Sequence, residues 1–112
     1  MYKEAILTAE KHYNSLMEND YKTWLETLSK DIKENADIKG STAYFWWETG
    51  RRYVEKYGVR YEFHKIDARY SSKNRVKIFF KRLNPDGSLR GSPVPIVLIV
   101  ENHEWKVVQA SY

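Results

Sequence analysis

The sequence predicts an α+β domain in which three amino-terminal helices pack on the concave face of a curved, mainly antiparallel sheet of four or more strands. Up to residue 58 the apolar residues recur at three- and four-residue steps, and from Val59 onward they recur at every second residue. Helical and strand patterns are thus segregated along the chain, as in α+β proteins. Residues 93–100 are apolar at every position, although charged residues make up 30% of the chain.

The composition predicts one globular domain covering residues 1–112. Hydrophobic residues make up 42% of the chain and aromatic residues 15%, enough for a packed core. The absence of cysteine excludes disulfides, thiol catalysis and thiolate metal sites. The longest apolar run has eight residues, and the charged amino end lacks a signal-peptide core. We expect a cytoplasmic protein without a membrane span, although a secreted domain without its leader would have the same composition.

The first two predicted helices follow one another closely. The first covers residues 2–17, with an apolar stripe formed by Tyr2, Ile6, Ala9, Tyr13 and Leu16 or Met17. Asn19 and Asp20 are candidate N-caps for the second helix, YKTWLETLS. Residues 30–40 are predicted to form a polar connection.

The third predicted helix covers residues 42–58 and is rich in aromatic residues. Ser41 or Thr42 can cap its start, and Gly58 lies where a left-handed C-cap is expected. Gly50 lies in its interior, where glycine costs about 1 kcal/mol relative to alanine. We therefore expect a close approach to another backbone at Gly50.

Four strand-length segments follow, separated by connections of hairpin length. They cover residues 59–70, 74–83, 92–100 and 104–112. In the first segment the apolar positions are odd up to Phe63 and even from Ile66 to Tyr70. One extra residue would keep both sets on one face, so we predict a β-bulge near His64 and Lys65.

The third segment is interior to the predicted meander and apolar on both faces. The even positions from Val94 to Val100 are expected to face the helices, so Val97 and Ile99 face the other way. Together with Phe79 on the neighbouring strand, they form a predicted pairing surface for a homodimer. The alternative is that these side chains are simply tolerated in water.

Two stretches resemble the nuclear-transport-factor-2-like superfamily, which includes ketosteroid isomerases and polyketide cyclases. In YNSLMENDYKTWLETLS a helix ends at an acidic bend and a Trp-Leu helix follows, and ENHEWKVVQASY is a tight turn into a strand. The order of elements is similar over nearly the whole chain. The resemblance implies a cone-shaped fold, a pocket between the helices and the sheet, and pairing of two copies through the outer sheet face.

An inward-facing aromatic set either fills this cone or lines a pocket for a small apolar or aromatic ligand. The predicted lining residues are Tyr13, Trp47, Tyr53, Phe63, Phe80 and Trp105, with Arg51, His64 and Tyr112 as possible polar anchors.

No catalytic motif of the family can be matched to this chain. His64 and Asp67 are the best acid–base pair, but residues three apart on a strand point to opposite faces unless the bulge brings them together. His12 on a helix flank and His103 in a turn are weaker candidates. Three scattered histidines without cysteine predict no metal site, and no phosphate-binding loop or other cofactor motif is present.

The carboxy-terminal half carries the excess of positive charge, with 10 Lys and Arg against 5 Asp and Glu in residues 59–112. In the stretch KNRVKIFFKR, Phe79 and Phe80 are interleaved with the basic residues Lys73, Arg75, Lys77, Lys81 and Arg82. Basic residues beside aromatic rings suit single-stranded nucleic acid. However, Phe80 belongs to the core side, which leaves a thin aromatic platform and argues against a nucleic-acid partner.

The sequence therefore favours a small-molecule-binding or accessory protein that forms a homodimer and needs no cofactor. A cofactor-independent isomerase or dehydratase using His64 and Asp67 is the first alternative. A nucleic-acid binder using the basic strand face is the second.

Overall fold

The computed structural model describes residues 2–112 and places all α-helices before one four-stranded sheet. The helices are α1 (Lys3–Met17), α2 (Tyr21–Glu26), α3 (Lys30–Glu34) and α4 (Thr42–Tyr57). The strands are β1 (Arg60–Ile66), β2 (Arg75–Leu83), β3 (Val94–Glu101) and β4 (Glu104–Ala110). This arrangement confirms the predicted α+β class.

The ends of α4 follow the capping signals in the sequence. The Ser41 hydroxyl accepts a hydrogen bond from the Tyr44 backbone N–H, which satisfies one of the free donors of the first turn. Gly58 adopts φ +63°, and its N–H donates to the carbonyl of Val54. A left-handed glycine therefore ends the helix and turns the chain into β1.

The sheet is an antiparallel meander in the order β1-β2-β3-β4. The register between β1 and β2 shifts between Phe63 and Lys65, so the predicted bulge at His64 is confirmed. Both Phe63 and Ile66 consequently face the helices, opposite Phe80 and Ile78. Bulges increase the local twist of a strand, and this one accompanies the curvature of the sheet around α1.

The interior strand β3 is buried on both faces. Ile96 and Leu98 have no exposed surface on the helix side, and Val97 on the opposite side is only 2% exposed. Val97 pairs with Lys77 on β2 and with Gln109 on β4. Its neighbours in the same chain thus already cover Val97, while Phe79 and Ile99 on the same face are partly exposed.

The predicted polar connection at residues 30–40 is wrong in its first part, because α3 forms there. Ile32 packs against the core. The backbone N–H of Lys30 donates to the Glu101 carboxylate at 2.9 Å. A carboxylate distant in sequence therefore satisfies a free donor in the first turn of this short helix.

The first strand is shorter than predicted. It ends at Ile66, and Ala68–Tyr70 forms a 3₁₀ turn in which the Asp67 carboxylate accepts a hydrogen bond from the Arg69 backbone N–H at 3.2 Å. Ala68 and Tyr70 are exposed and do not continue the inward pattern. The side chain of Asp67 competes here with the sheet ladder for backbone partners.

Gly50 brings α4 close to side chains, rather than to the backbone that the sequence suggested. A Cβ atom on Gly50 would lie 2.8 Å from Cδ2 of Leu16 and 3.1 Å from the ring of Tyr112. Leu16 has no exposed surface and Tyr112 is 6% exposed, so neither has free space to move into. The close contact between α4 and α1 at this point therefore requires a residue without a side chain at position 50.

We expect Gly50→Val to lower the free energy of unfolding by about 1–3 kcal/mol, as overpacking of a core does. Urea denaturation measures the change. Glu48→Val is the matched control, since it places the same β-branched residue on an exposed position of the same helix. Equal losses in the two variants would contradict the close contact at Gly50.

Candidate functional site

The centre of the predicted pocket is occupied by stacked aromatic rings. The ring centroid of Tyr13 lies 4.6 Å from that of Tyr61 and 4.6 Å from that of Phe80. Tyr13 has no exposed surface and Phe80 is 1% exposed. The Tyr13 hydroxyl donates to the main-chain oxygen of Ser111 at 2.9 Å. In this region the inward aromatic side chains therefore fill the space between the helices and the sheet, rather than line a pocket there.

The other predicted lining residues are dispersed. Phe63 joins the cluster, with its ring centroid 6.2 Å from that of Phe80. Trp47 instead packs against Trp24 and Tyr21, and Trp105 against Tyr2. The guanidinium of Arg51 donates to the carbonyls of Leu16 and Met17 and pairs with Glu55, while Tyr53 lies beside Tyr57.

A buried polar network lies next to the aromatic cluster, centred on His12. Its Nδ1 is 2.8 Å from the Thr27 hydroxyl, and its Nε2 is 2.6 Å from the Tyr112 hydroxyl. Thr27 donates its own proton to the carbonyl of Trp24 at 2.7 Å. Nδ1 therefore carries the ring proton and donates a hydrogen bond to the Thr27 hydroxyl. Nε2 is then unprotonated and accepts a hydrogen bond from the Tyr112 hydroxyl.

His12 is thus a core residue, and its placement on a helix flank was wrong. It has no exposed surface and stacks on Tyr112 with the ring planes 20° apart. The signal available in the sequence was its spacing from Ala5 and Ala9, two small residues on the buried stripe of α1. Sequence reasoning missed this network because its partners are 15 and 100 residues away.

Burial controls the protonation of this network. It lowers the pKa of His12 from 6.5 to about 3, so the ring is neutral in the folded protein. Burial also raises the pKa of the Tyr13 and Tyr112 phenols well above 10.0. The Trp24 indole N–H is close enough to oppose this rise at Tyr112, although it makes no hydrogen bond of normal geometry.

The shifted pKa values of His12, Tyr13 and Tyr112 and the burial of their rings indicate a structural network rather than a catalytic one. A general acid or base acts most efficiently when its pKa is near the working pH, and that of His12 lies far below neutrality. His12 also has no exposed surface through which a substrate could reach it.

A cavity lies at the β-bulge. It is an open cleft of about 650 Å³, which we call the bulge cleft. Its lining residues come from the end of β1, the 3₁₀ turn, β2 and the chain leading into β3, namely His64, Lys65, Ile66, Asp67, Ala68, Arg69, Phe79, Ser92 and Pro93. The candidate pair His64 and Asp67 both line this cleft, as do Lys65 and Ile66 between them.

Aromatic and basic side chains alternate around the bulge cleft. The ammonium of Lys65 lies 5.9 Å from the ring centroid of Phe79, and that of Lys77 lies 5.4 Å from it on the same strand face. Lys77 also lies 4.7 Å from the ring of Tyr70, which is 56% exposed. These are cation–π distances. Neither lysine forms an ion pair with any residue between 2 and 112.

Asp67 is already engaged within the chain. One of its carboxylate oxygens lies 3.6 Å from Nε of Arg69 and accepts from the Arg69 backbone N–H. These contacts hold the 3₁₀ turn and offset the charge of Arg69. The cleft therefore presents Lys65, His64 and the ring of Phe79 more freely than it presents a carboxylate.

The basic residues of β2 separate onto two faces, as alternation requires. Lys77 shares the outer face with Phe79, while Arg82 pairs with the inward-facing Tyr61. Lys81 lies opposite Glu62 on β1. Among the described residues, no group of three or more His, Asp or Glu is arranged to hold a metal ion.

No protein-family model matches the chain, and no curated protein matches it. Membership of the nuclear-transport-factor-2-like superfamily stays a prediction. Over residues 2–112, no helix has both the length and the apolar character needed to cross a membrane.

The stability of the protein should depend on pH through His12. The unfolded chain takes up a proton near the ordinary pKa of 6.5, whereas the folded chain does so only near 3. The free energy of unfolding therefore falls as pH decreases from 6.5 towards 3, with a limiting slope of about 1.4 kcal/mol per pH unit from this group.

Urea denaturation at a series of pH values measures this slope. We expect His12→Gln to be less stable at neutral pH and to lose the part of the slope that belongs to the imidazole. Carboxylates such as Asp20, whose pKa is lowered by hydrogen bonds from Thr23, contribute equally to both proteins and cancel in the difference. Identical slopes for the two proteins would show that His12 is not buried in its neutral form.

Proposed function

We propose that the protein is a binding or accessory module that takes a small ligand with an anionic group and a flat apolar part in the bulge cleft. The observation that supports this most strongly is the pairing of the Phe79 ring with Lys65 in a cleft of about 650 Å³. Ligand sites commonly have volumes of roughly 300–1,000 Å³ and combine apolar walls with a few polar groups.

The chemistry of the lining residues defines the ligand class. Lys65 has no carboxylate partner among the described residues and can attract an anion, and His64 can add a hydrogen bond. Phe79 and Pro93 offer apolar surface for a ring or short chain. An aromatic sulfonate or carboxylate has both features.

Binding is better supported than catalysis at this site. The isomerase or dehydratase alternative needs Asp67 to orient or activate His64, and the Asp67 carboxylate is engaged with Arg69. A base without a positioned carboxylate lacks the arrangement that tunes a catalytic histidine.

The nuclear-transport-factor-2-like resemblance remains part of the proposal at the level of architecture. Its support is the order of elements and the antiparallel sheet wrapped around α1. In this proposal the ligand lies at the bulge rather than in the helix–sheet interior, because Tyr13, Tyr61 and Phe80 fill the interior.

We further propose that the outer sheet face pairs with a second copy. Of the three residues assigned to this surface, Val97 is covered within the chain and Phe79 lines the bulge cleft, so Ile99 provides the apolar area of the pairing surface. Arg75 and Lys106 flank Ile99 on the neighbouring strands, and Glu101 and Glu104 lie at the end of the same hairpin. Such a mixed polar rim around apolar side chains is typical of protein interfaces.

The bulge cleft can be tested with 1-anilinonaphthalene-8-sulfonate, a fluorescent probe that is both anionic and aromatic. We expect the native protein to enhance its fluorescence saturably, and Lys65→Ala and Phe79→Ala to weaken binding about tenfold each. Phe45→Ala is the matched control, since Phe45 is 63% exposed on α4, outside the cleft.

Competition separates the alternatives in the same assay. Displacement of the probe by small aromatic carboxylates supports the proposed ligand class. Displacement by oligothymidylate alone, with a steep salt dependence, would favour the nucleic-acid alternative. Equal binding by the native protein and both cleft variants would contradict the proposal.

Pairing of two copies is tested by light scattering after size exclusion over a concentration series. We expect the native chain to be a dimer and Ile99→Glu to be a monomer. The glutamate would lie between Arg75 and Lys106, so the folded chain should tolerate it. Leu89→Glu, at a 64% exposed loop position, should stay dimeric. A monomeric native protein at every concentration would rule out this surface as an interface.

A further inference from the structure

A second group of positively charged side chains lies on the opposite side of the sheet from the bulge cleft. The inward positions of β2 are Val76, Ile78 and Phe80, each at most 1% exposed, followed by Arg82. Arg82 pairs with Tyr61 on β1, whose side chain is 7% exposed. A guanidinium group therefore occupies the fourth position of an otherwise apolar row on the helix side of the sheet.

Arg82 is partly exposed, and its guanidinium lacks partners within the described residues. Its Nε is buried without a hydrogen-bond partner. Across residues 2–112 the Arg82 side chain donates no hydrogen bond and forms no ion pair. An unpaired buried donor is costly, and arginine is especially suited to carboxylate and phosphate groups. The described part of the chain supplies no acceptor for this donor.

Arg90 brings a second guanidinium to the same region. The loop between β2 and β3 folds back on itself, so that the Arg90 backbone N–H donates to the Arg82 carbonyl at 2.8 Å. The Arg90 guanidinium lies over the ring of Tyr57 at 4.5 Å and near that of Tyr53 at 5.9 Å. It has no carboxylate partner in the described part of the chain.

Gly91 makes this arrangement possible. A Cβ atom at this position would lie 2.7 Å from Nη2 of Arg82, and the residue has φ +67°. Glycine adopts such a φ without strain, and it leaves the Arg82 guanidinium space beneath the loop. Both arginines lie near enough to Tyr61 to affect its pKa. Burial raises this pKa, and the positive charges of Arg82 and Arg90 lower it.

We propose that Arg82 and Arg90 form a binding site for an oxyanion, a carboxylate or a phosphate ester, between the inner face of β2 and the carboxy-terminal end of α4. Arg82, which is partly exposed, supplies a fork of N–H donors, and Arg90, held against Tyr53 and Tyr57, closes the site from the loop. Tyr61 lies beside this site, and its hydroxyl donates to the main-chain oxygen of Tyr112. This site shares no residue with the bulge cleft and does not depend on the ligand proposed for it.

The direct test follows the Arg82 Nε–H resonance by nuclear magnetic resonance while inorganic phosphate, phenyl phosphate or benzoate is added to the native protein. We expect a saturable shift of this resonance with at least one of the three. A response to both phosphates but not to benzoate identifies a phosphate site, and the reverse identifies a carboxylate site. The absence of any shift with all three overturns the proposal.

Variants provide a second measurement by isothermal titration with the anion that responds. Arg82→Met and Arg90→Met should each weaken binding about tenfold or more, and Arg82→Lys should restore only part of it because lysine lacks the planar fork. Arg52→Met is the matched control, an exposed arginine lying 5.6 Å from the ring of Tyr53. An equal loss of anion affinity in Arg52→Met would show that only the net charge of the protein matters. That result would contradict a specific site at Arg82 and Arg90.

Lys65→Ala keeps this test separate from that of the bulge cleft. It should leave anion binding at Arg82 unchanged, whatever its effect on the fluorescent probe. If Arg82→Met does not fold, the resonance of Arg82 in the native protein still decides the proposal.

Discussion

The buried hydrogen bond between His12 and Tyr112 joins the first helix to the residues that follow the last strand. Tyr112 makes further contacts from the same position, since its main-chain oxygen accepts from the Tyr61 hydroxyl at 2.8 Å. Its ring also lies against α4, where Gly50 has no side chain. One residue thus connects α1, α4 and β1. The hydrogen bonds that His12 makes with both ring nitrogens favour a single arrangement of the core, because any slip leaves a buried polar group without a partner.

This network explains why the interior is closed. The hydroxyls of Tyr13, Tyr61 and Tyr112 all bind partners inside the protein, so their rings stay packed around the crossing of α1 and the sheet. Aromatic rings without such partners could turn aside and leave space for a ligand. Two cationic side chains without an ion-pair partner among the described residues lie outside this cluster, Lys65 beside the bulge and Arg82 beneath the loop between β2 and β3.

Patterns that depend on neighbouring residues were readable from the sequence. Alternation predicted the faces of β2 and β3, the parity change after Phe63 predicted the bulge, and capping residues predicted both ends of α4. Features that depend on distant partners were not readable. The burial of His12 requires Thr27 and Tyr112, and the start of α3 requires the Glu101 carboxylate. The interior position of Arg82 was available from parity, but grouping it with the basic residues of β2 obscured it.

The parity of β2 also argues against reading its basic residues as one surface. Lys77 lies outward beside Phe79, Lys81 faces Glu62 across the strand pair, and Arg82 lies inward beside Tyr61. A continuous positive band for a nucleic-acid backbone would need these charges on one face. Alternation instead places Arg82 on the helix side, away from Lys77 and Lys81 on the outer face, and Lys81 lies opposite Glu62. The positive charge of the carboxy-terminal half is therefore better explained by two small anion-binding sites than by one extended surface. These are the bulge cleft and the site proposed at Arg82 and Arg90.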